Sequence, residues 1–443
     1  MPLRGARSHA RRQHAPAFPT GVCQEAVVAG MGSCCVVEKP ATPGKAGGPS
    51  KPKAAPTAIV RERSTRHGEE AATLLDAAWE GQVDLVRKFL SKVGADSEVD
   101  DEGATALHLA AAEGHTEVVQ VLLDEGKASL EHLDAAGSSA LLKAAREGYE
   151  EVVQMLLGKG SSAIVDSPNE VGETPLLCAV SKGHTHIVLL LLSEGRAKSV
   201  DLPNKDGETP LNIAAGKGLH DIVRLLLKEG KSRAVDAPDH LGWTPILLAA
   251  YGGHLQVVQC LVSEGGCKTV DTPNKAGATP LLCAAKQGHS DVEHFLIVSA
   301  GAKAVDTPDI NGETPLFMAA SEGRIDMVRL LLTKGGSGAV DVANNAQETP
   351  LLKAAQEGCL DIVRILLDTG KSQAVNTAAA DGRTPLIAAA RGGHAEVCCV
   401  LLEHNADRLA TVSGSELIGC DGTAEDVARD QGHEQVAQLL SQP

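Results

Sequence analysis

Three groupings in the 443-residue chain have residue types and spacings that chemistry uses. Gly230-Lys231-Ser232 and Gly370-Lys371-Ser372 look like the end of a phosphate-wrapping loop. That loop needs another glycine five residues earlier, where Leu225 and Ile365 stand. Both segments also close helical patterns, and a helix C-terminus repels anions. The phosphate reading fails on both counts. His184 with His186, and His289 with His294, come closest to metal ligands, but neither pair has a third ligand at a suitable spacing. The third grouping is a column of acids: Asp166, Asp201, Asp236, Asp271, Asp306 and Asp341, continued by Asn376. Calcium takes several oxygens at about 2.3–2.6 Å, so one carboxylate per unit, with units ~8–10 Å apart, cannot close a cage. Two readings of this column stay open. Each carboxylate could bond local backbone and fix its own turn, or the stripe could steer a basic partner, with Asp201, Asp236 and Asp271 at its centre. No Ser/His/Asp or Cys/His set stands clear of the repetition described next. The reading is therefore of a protein that is not an enzyme and needs no cofactor, metal or small-molecule substrate.

What must position these residues is a unit best seen in residues 201–230. Asn204 and Gly207 frame a turn. Thr209 is a good N-cap, and Pro210 suits the first helical position, where a missing N–H costs nothing. Ala214 and Ala215 permit close packing, and Gly218 ends the first helix. A second helix puts Ile222, Val223, Leu225, Leu226 and Leu227 on one apolar face until Gly230. Neither helix buries that face alone. The opening hydroxyl recurs at Thr105, Ser139, Thr174, Thr209, Thr244, Thr279, Thr314, Thr349 and Thr384, one step of 34 residues and seven of 35. Looser copies begin at Thr73 and Thr423. One helix pair per period is the pattern of a solenoid, in which neighbours bury each other's apolar faces.

The Thr-Pro-Leu-x-x-Ala-Ala-x-x-Gly-His pattern resembles the ankyrin repeat over residues 69–443. The resemblance implies an all-α ankyrin solenoid of helix–turn–helix units joined by hairpin-like turns. Residues 69–94 form an N-terminal cap, 95–404 nine internal repeats, and 405–443 an insert and a C-terminal cap. Most steps are two residues longer than the usual 33, and the surplus falls between the second helix and the next turn, as in Gly195 to Asp201. The histidine that normally follows Thr-Pro-Leu survives only as His108; Leu142, Leu177, Asn212, Leu247, Leu282, Phe317, Leu352 and Ile387 hold its place. Thr–His hydrogen bonds are thus expected to be largely replaced by apolar contact. In the turn before Thr349, Gln347 takes the usual place of glycine and marks the expected weak joint, if that place needs positive φ.

The net charge of −16 divides unevenly. Residues 1–68 hold 11 Lys/Arg against 3 Asp/Glu, or +8, which leaves −24 for residues 69–443. So acidic an array repels phosphate backbones, which argues against nucleic acid. The 11 cysteines lack paired spacing and read as reduced thiols in a cytoplasmic protein. Cys178 and Cys283 share one repeat position, which suggests packing. The longest apolar run, Ile187–Leu192, is far shorter than the ~20 residues of a membrane span.

Residues 1–68 lack a helical period, are rich in Pro, Gly, Ala, Lys and Arg, and are expected to be a disordered basic leader. Within them, Met31-Gly32-Ser33-Cys34-Cys35 resembles the start of dually acylated proteins. If translation began at Met31, Gly32 would take a myristoyl chain and Cys34 or Cys35 a palmitoyl chain, which gives membrane association. Val36 departs from that signal, and in the chain as numbered Gly32 is internal. The other reading is a leader with a chance match.

The family resemblance implies protein partners, bound at turn tips and the exposed side of the first helices. One repeat stands out there, with Trp243, Tyr251, His240 and Leu241 together in a chain holding two Trp and two Tyr. Aromatic residues within a polar surface are common interface anchors; the other reading is that Trp243 folds over a neighbouring turn and merely packs. The expected function is scaffolding or adaptor work for a protein partner of basic character. The alternatives are a membrane-tethered protein and the regulatory arm of an enzyme complex.

Overall fold

The structure is a computed structural model that describes residues 73–160, 162–335, 338–412 and 422–442. The leader, with Gly32, Cys34 and Cys35, lies outside the described residues. The described residues form eleven helix pairs in sequence, from Leu74–Trp79 with Val83–Leu90 to Ala424–Asp430 with Glu434–Ser441. First helices pack on first helices and second on second, each on its sequence neighbours. In the unit above, the first helix is Pro210–Gly216 and the second His220–Lys228, with Ile222, Val223 and Leu226 buried. Each such side chain contributes about 1.5–3 kcal/mol by leaving water, and these contacts run from unit to unit.

The helix starts follow from local chemistry. Ser139, Thr174, Thr209, Thr279, Thr314, Thr349 and Thr384 each accept the backbone N–H three residues on, and prolines occupy the first turn from Pro175 to Pro385. Acids occupy the first turn of second helices at Asp84, Glu117, Asp221, Asp326 and Asp361, as the helix dipole favours. Lys127, Arg196, Lys231 and Lys371, just beyond second-helix ends, sit at φ of 51–55°, a conformation glycine supplies at Gly266 and Gly301. The surplus residues of the long period form short helical turns such as Ser199–Asp201, Ala234–Asp236 and Ala374–Asn376. One departure from an all-helical chain is a two-residue antiparallel pair, Thr411–Val412 with Gly422–Thr423, which brackets the insert.

Three cross-repeat bonds tie the stack. At the turn tips, backbone N–H groups of Lys205, His240, Lys275 and Ile310 donate to the carbonyls of Val171, Asp206, Leu241 and Ala276 at 2.8–3.1 Å. At the start of second helices, the Nε2 atoms of His184, His254, His289 and His394 meet the carbonyls of Arg146, Gly216, Tyr251 and Gln356 at 3.0–3.1 Å. Those carbonyls lie at first-helix ends, which lack intrahelical partners. The His289 ring lies against Gly253, where a Cβ would come within 2.5 Å of it. That close approach, with φ of 71°, is why glycine precedes the histidine.

The third tie corrects the expectation for the aspartates. They do not close their own turns. Asp166 accepts from the N–H groups of Lys198 and Ser199. Asp201 accepts from Ser232 Oγ at 2.6 Å and Arg233 N at 3.0 Å. Asp236 accepts from Lys268 N, Thr269 N and Thr269 Oγ1. Asp271 accepts from Lys303 and Ala304 at 2.9 and 3.0 Å. These four carboxylates, and Asp341 with Ser372 Oγ and Gln373 N, cap the loop that leaves the following unit's second helix. Ser232 and Ser372, the serines of the two false phosphate loops, serve these staples. Burial pushes the Asp236 carboxyl up, but the donors from Lys268 and Thr269 outweigh it and hold the group below the usual range.

The Thr–His expectation also needs amendment. His108 keeps the family bond, with Nδ1 2.9 Å from Thr105 Oγ1 and Nε2 3.1 Å from the Ser138 carbonyl. Asn212 reproduces both halves. Its Oδ1 engages Thr209, and its Nδ2 donates to the Trp243 carbonyl at 3.0 Å. A carboxamide can bridge the same two repeats as an imidazole; at Leu142 and its equivalents apolar burial does replace the bond.

Two expected results follow. Burial, then Lys143, pushes the His108 imidazole down to about 4. The folded state binds the proton less well than the unfolded chain, so this contribution is complete above pH ~6.5 and is lost as pH falls towards 4, up to roughly 3 kcal/mol. His108→Leu, the residue at Leu142, should flatten that part of the pH–stability curve; an unchanged curve would assign the acid sensitivity elsewhere. Gln347 has φ of 59° where the neighbouring units have glycine at Gly312 and Gly382. Gln347→Gly should raise stability by about 0.5–1 kcal/mol, read in urea melts, since relief of left-handed strain exceeds glycine's entropic cost.

Candidate functional site

The fifth internal repeat carries the candidate surface. Its tip runs from Asp239, whose Oδ1 accepts the N–H groups of Leu241 and Trp243, both at 2.8 Å. That bonding holds the arm which presents Trp243 just before the helix Pro245–Tyr251. The Trp243 and Tyr251 rings meet edge to face, with centroids 5.5 Å apart and planes at 81°. Both are half-buried on Leu247, Ala278 and Cys283, so the pair bridges its own repeat and the next. Leu241 is 49% exposed at the tip, and His240 is exposed with its ring against Gly207. The structure brings Trp243 and Tyr251 into contact, while Leu241 and His240 are exposed at the turn tip of the same repeat. Asp201, Asp236 and Asp271 are occupied by the inter-repeat staples instead.

Two half-buried apolar side chains, Ile213 and Leu248, stand at one register on successive first helices of this region. Beside them Glu208 accepts from Asn204 Nδ2 at 2.9 Å. Burial pushes its carboxyl up, and Asp206 and Asp239 add to the shift. The bond from Asn204 and the charge of Lys217 oppose that shift without cancelling it. Thr244, the N-cap of the aromatic repeat, is buried, and its hydroxyl has no hydrogen-bond partner among the described residues.

The cysteines behave as packing groups. Burial, then Glu173, pushes the Cys178 thiol up to about 12, and burial and then Cys399 does the same for Cys398. Thiols so shifted remain protonated and unreactive. No group of three His, Cys, Asp or Glu among the described residues is placed to hold a metal ion. No helix among the described residues is long and apolar enough to cross a membrane.

Sequence reasoning missed one feature of the array. Glu293 is fully buried in a second helix, where every other internal repeat has an apolar residue such as Val258 or Val328. Its carboxylate pairs with Arg324, which replaces the usual histidine of the following repeat. Arg324 Nη2 also donates to the Ala285 carbonyl at 2.7 Å, one residue before the first-helix carbonyl that histidine bonds elsewhere. The signal was available as a charged residue in an apolar column, next to a repeat with arginine in its histidine column.

A family model described as ankyrin repeats in three copies matches residues 74–167, 161–236, 231–307 and 292–377. A single-repeat model, described as ankyrin repeat, matches residues 381–411. Among curated proteins, the chain is 47% identical over 55 residues to apoptosis-stimulating of p53 protein 2 of Homo sapiens, and equally to that of Mus musculus. Each match covers 12% of this chain and only 5% of the relative. The Thr-capped helix pairs, the tip ladder and the family match over most of the length agree: this chain belongs to the ankyrin-repeat family.

Proposed function

We propose that the protein is a non-catalytic scaffold or adaptor whose first-helix and turn-tip face binds a protein partner, with Trp243 and Tyr251 as anchors. Ankyrin repeats are protein-interaction modules, and Leu241 and His240 are exposed at this turn tip. One observation carries the choice of site: the half-buried edge-to-face pair of Trp243 and Tyr251, flanked by half-exposed Leu241, near the middle of the array. Rigid aromatic groups with one side packed and one side wet bury area at little entropic cost, which is what binding anchors need. The aspartates at 201, 236 and 271 contribute by their field alone, since their oxygens are engaged with backbone donors.

The test is quantitative affinity purification with the wild-type chain beside Trp243→Ala/Tyr251→Ala and Leu241→Asp. Species retained by the wild type and lost from both variants support this surface. Equal recovery on all three baits would move the binding surface elsewhere.

A further inference from the structure

Four repeats have glutamate immediately before the N-cap threonine: Glu173, Glu208, Glu313 and Glu348. Three of them hold a cation from within the array. Glu173 pairs with Arg146 at 2.6 Å, Glu313 with Lys286 at 2.6 Å, and Glu348 with Arg383 at 3.1 Å and Lys353 at 3.5 Å. These cations come from three repeat positions: the seventh residue of the preceding first helix, the fourth residue of the repeat's own first helix, and the residue before the next N-cap. Around Glu208 those positions are Ser181, Ile213 and Trp243. No ammonium or guanidinium among the described residues lies within ion-pair distance of Glu208. Lys217, whose charge acts on Glu208 from a distance, donates to the Ser181 carbonyl instead.

Resting on the reading of Trp243 and Tyr251 as partner anchors, we propose that the partner supplies the missing cation: Glu208 receives a lysine or arginine side chain of an extended segment whose apolar residue lies on the Trp243/Tyr251 pair. The complementarity is set out by the fold itself, since the same glutamate position takes a guanidinium or ammonium in three other repeats. Asp206 and Asp239 deepen the negative potential, and the half-buried Ile213 and Leu248 give the intervening chain an apolar floor. Successive units lie ~8–10 Å apart, and an extended chain covers about 3.3 Å per residue. The basic and apolar residues of the partner are therefore about three positions apart.

The experiment selects binders from a random dodecapeptide display library on the immobilised full chain, in parallel with Glu208→Gln and Trp243→Ala/Tyr251→Ala. Glutamine retains the bond from Asn204, so the fold of this turn is kept; thermal melts of all three chains confirm it. Recovered peptides should be enriched for Lys or Arg about three residues from Leu, Ile, Phe or Trp. Selection on Glu208→Gln should lose the basic residue and keep the apolar one, and wild-type peptides should bind that variant about tenfold or more weakly. Failure to recover peptides, absence of basic enrichment, or its persistence on Glu208→Gln overturns the inference. If apolar enrichment alone survives and depends on Trp243 and Tyr251, the aromatic anchor stands while the cation site falls. Peptides insensitive to the aromatic double variant defeat both.

Discussion

Arg324→Leu should cost the array about 3–5 kcal/mol, because it strands the fully buried Glu293 carboxylate and removes one of two donors to the Ala285 carbonyl. Burial already pushes the Glu293 carboxyl up against the opposing pull of Arg324. Without the guanidinium, protonation is the only remedy, so the variant should regain stability as pH falls. The double change Glu293→Val/Arg324→His restores the residues of the Val258 and His289 positions. It should be neutral or more stable than the parent by about 1–4 kcal/mol, since an apolar contact replaces two desolvated charges. Urea melts read by circular dichroism, with hydrogen exchange in the helices Ser290–Val298 and Ile325–Gly335, measure both. Each repeat touches only its neighbours, so the loss should appear first in those two helices. An Arg324→Leu chain as stable as the parent would mean that the pair is solvated and carries no such cost.

The second large effect concerns binding. Trp243→Ala should weaken partner binding about thirtyfold or more, the scale of a buried aromatic anchor. It should also lower stability modestly, because the ring packs on Tyr251, Leu247, Ala278 and Cys283. Leu241→Asp separates the two effects. That side chain is 49% exposed at a turn tip, so folding stability should stay within about 0.5 kcal/mol while binding falls. Isothermal titration beside thermal melts reads both quantities. A Leu241→Asp chain that binds normally would place the contact surface away from this tip.

The repeat itself was legible because its signals are local. A hydroxyl at the N-cap, proline at the first helical position, glycine at the end and a 35-residue step require no knowledge of the neighbours. The positive φ of Gln347 was legible for the same reason, since glycine elsewhere in its column states what the backbone needs. What crosses between repeats was harder to see. Asp201 and its equivalents looked like turn formers because their partners, 31–33 residues on, are backbone N–H groups and serine hydroxyls with no sequence signature of their own. Asn212 was counted as a loss of the histidine bond, although its carboxamide makes the same two connections. Glu293 and Arg324 carry no signal of pairing on their own; only comparison with the same place in other repeats shows that one should be apolar. The empty cation positions around Glu208 follow the same logic, because they become visible when the repeats are laid over one another.

The central claim is that the first-helix and turn-tip face around Trp243 is the contact surface. Hydrogen exchange of the full chain, free and bound to a selected peptide or purified partner, tests it most directly. Slowed exchange at the tips 204–208 and 239–243 and in the helix Pro245–Tyr251 is the predicted result. Protection confined to second helices such as Leu255–Ser263, with those tips unchanged, would contradict it.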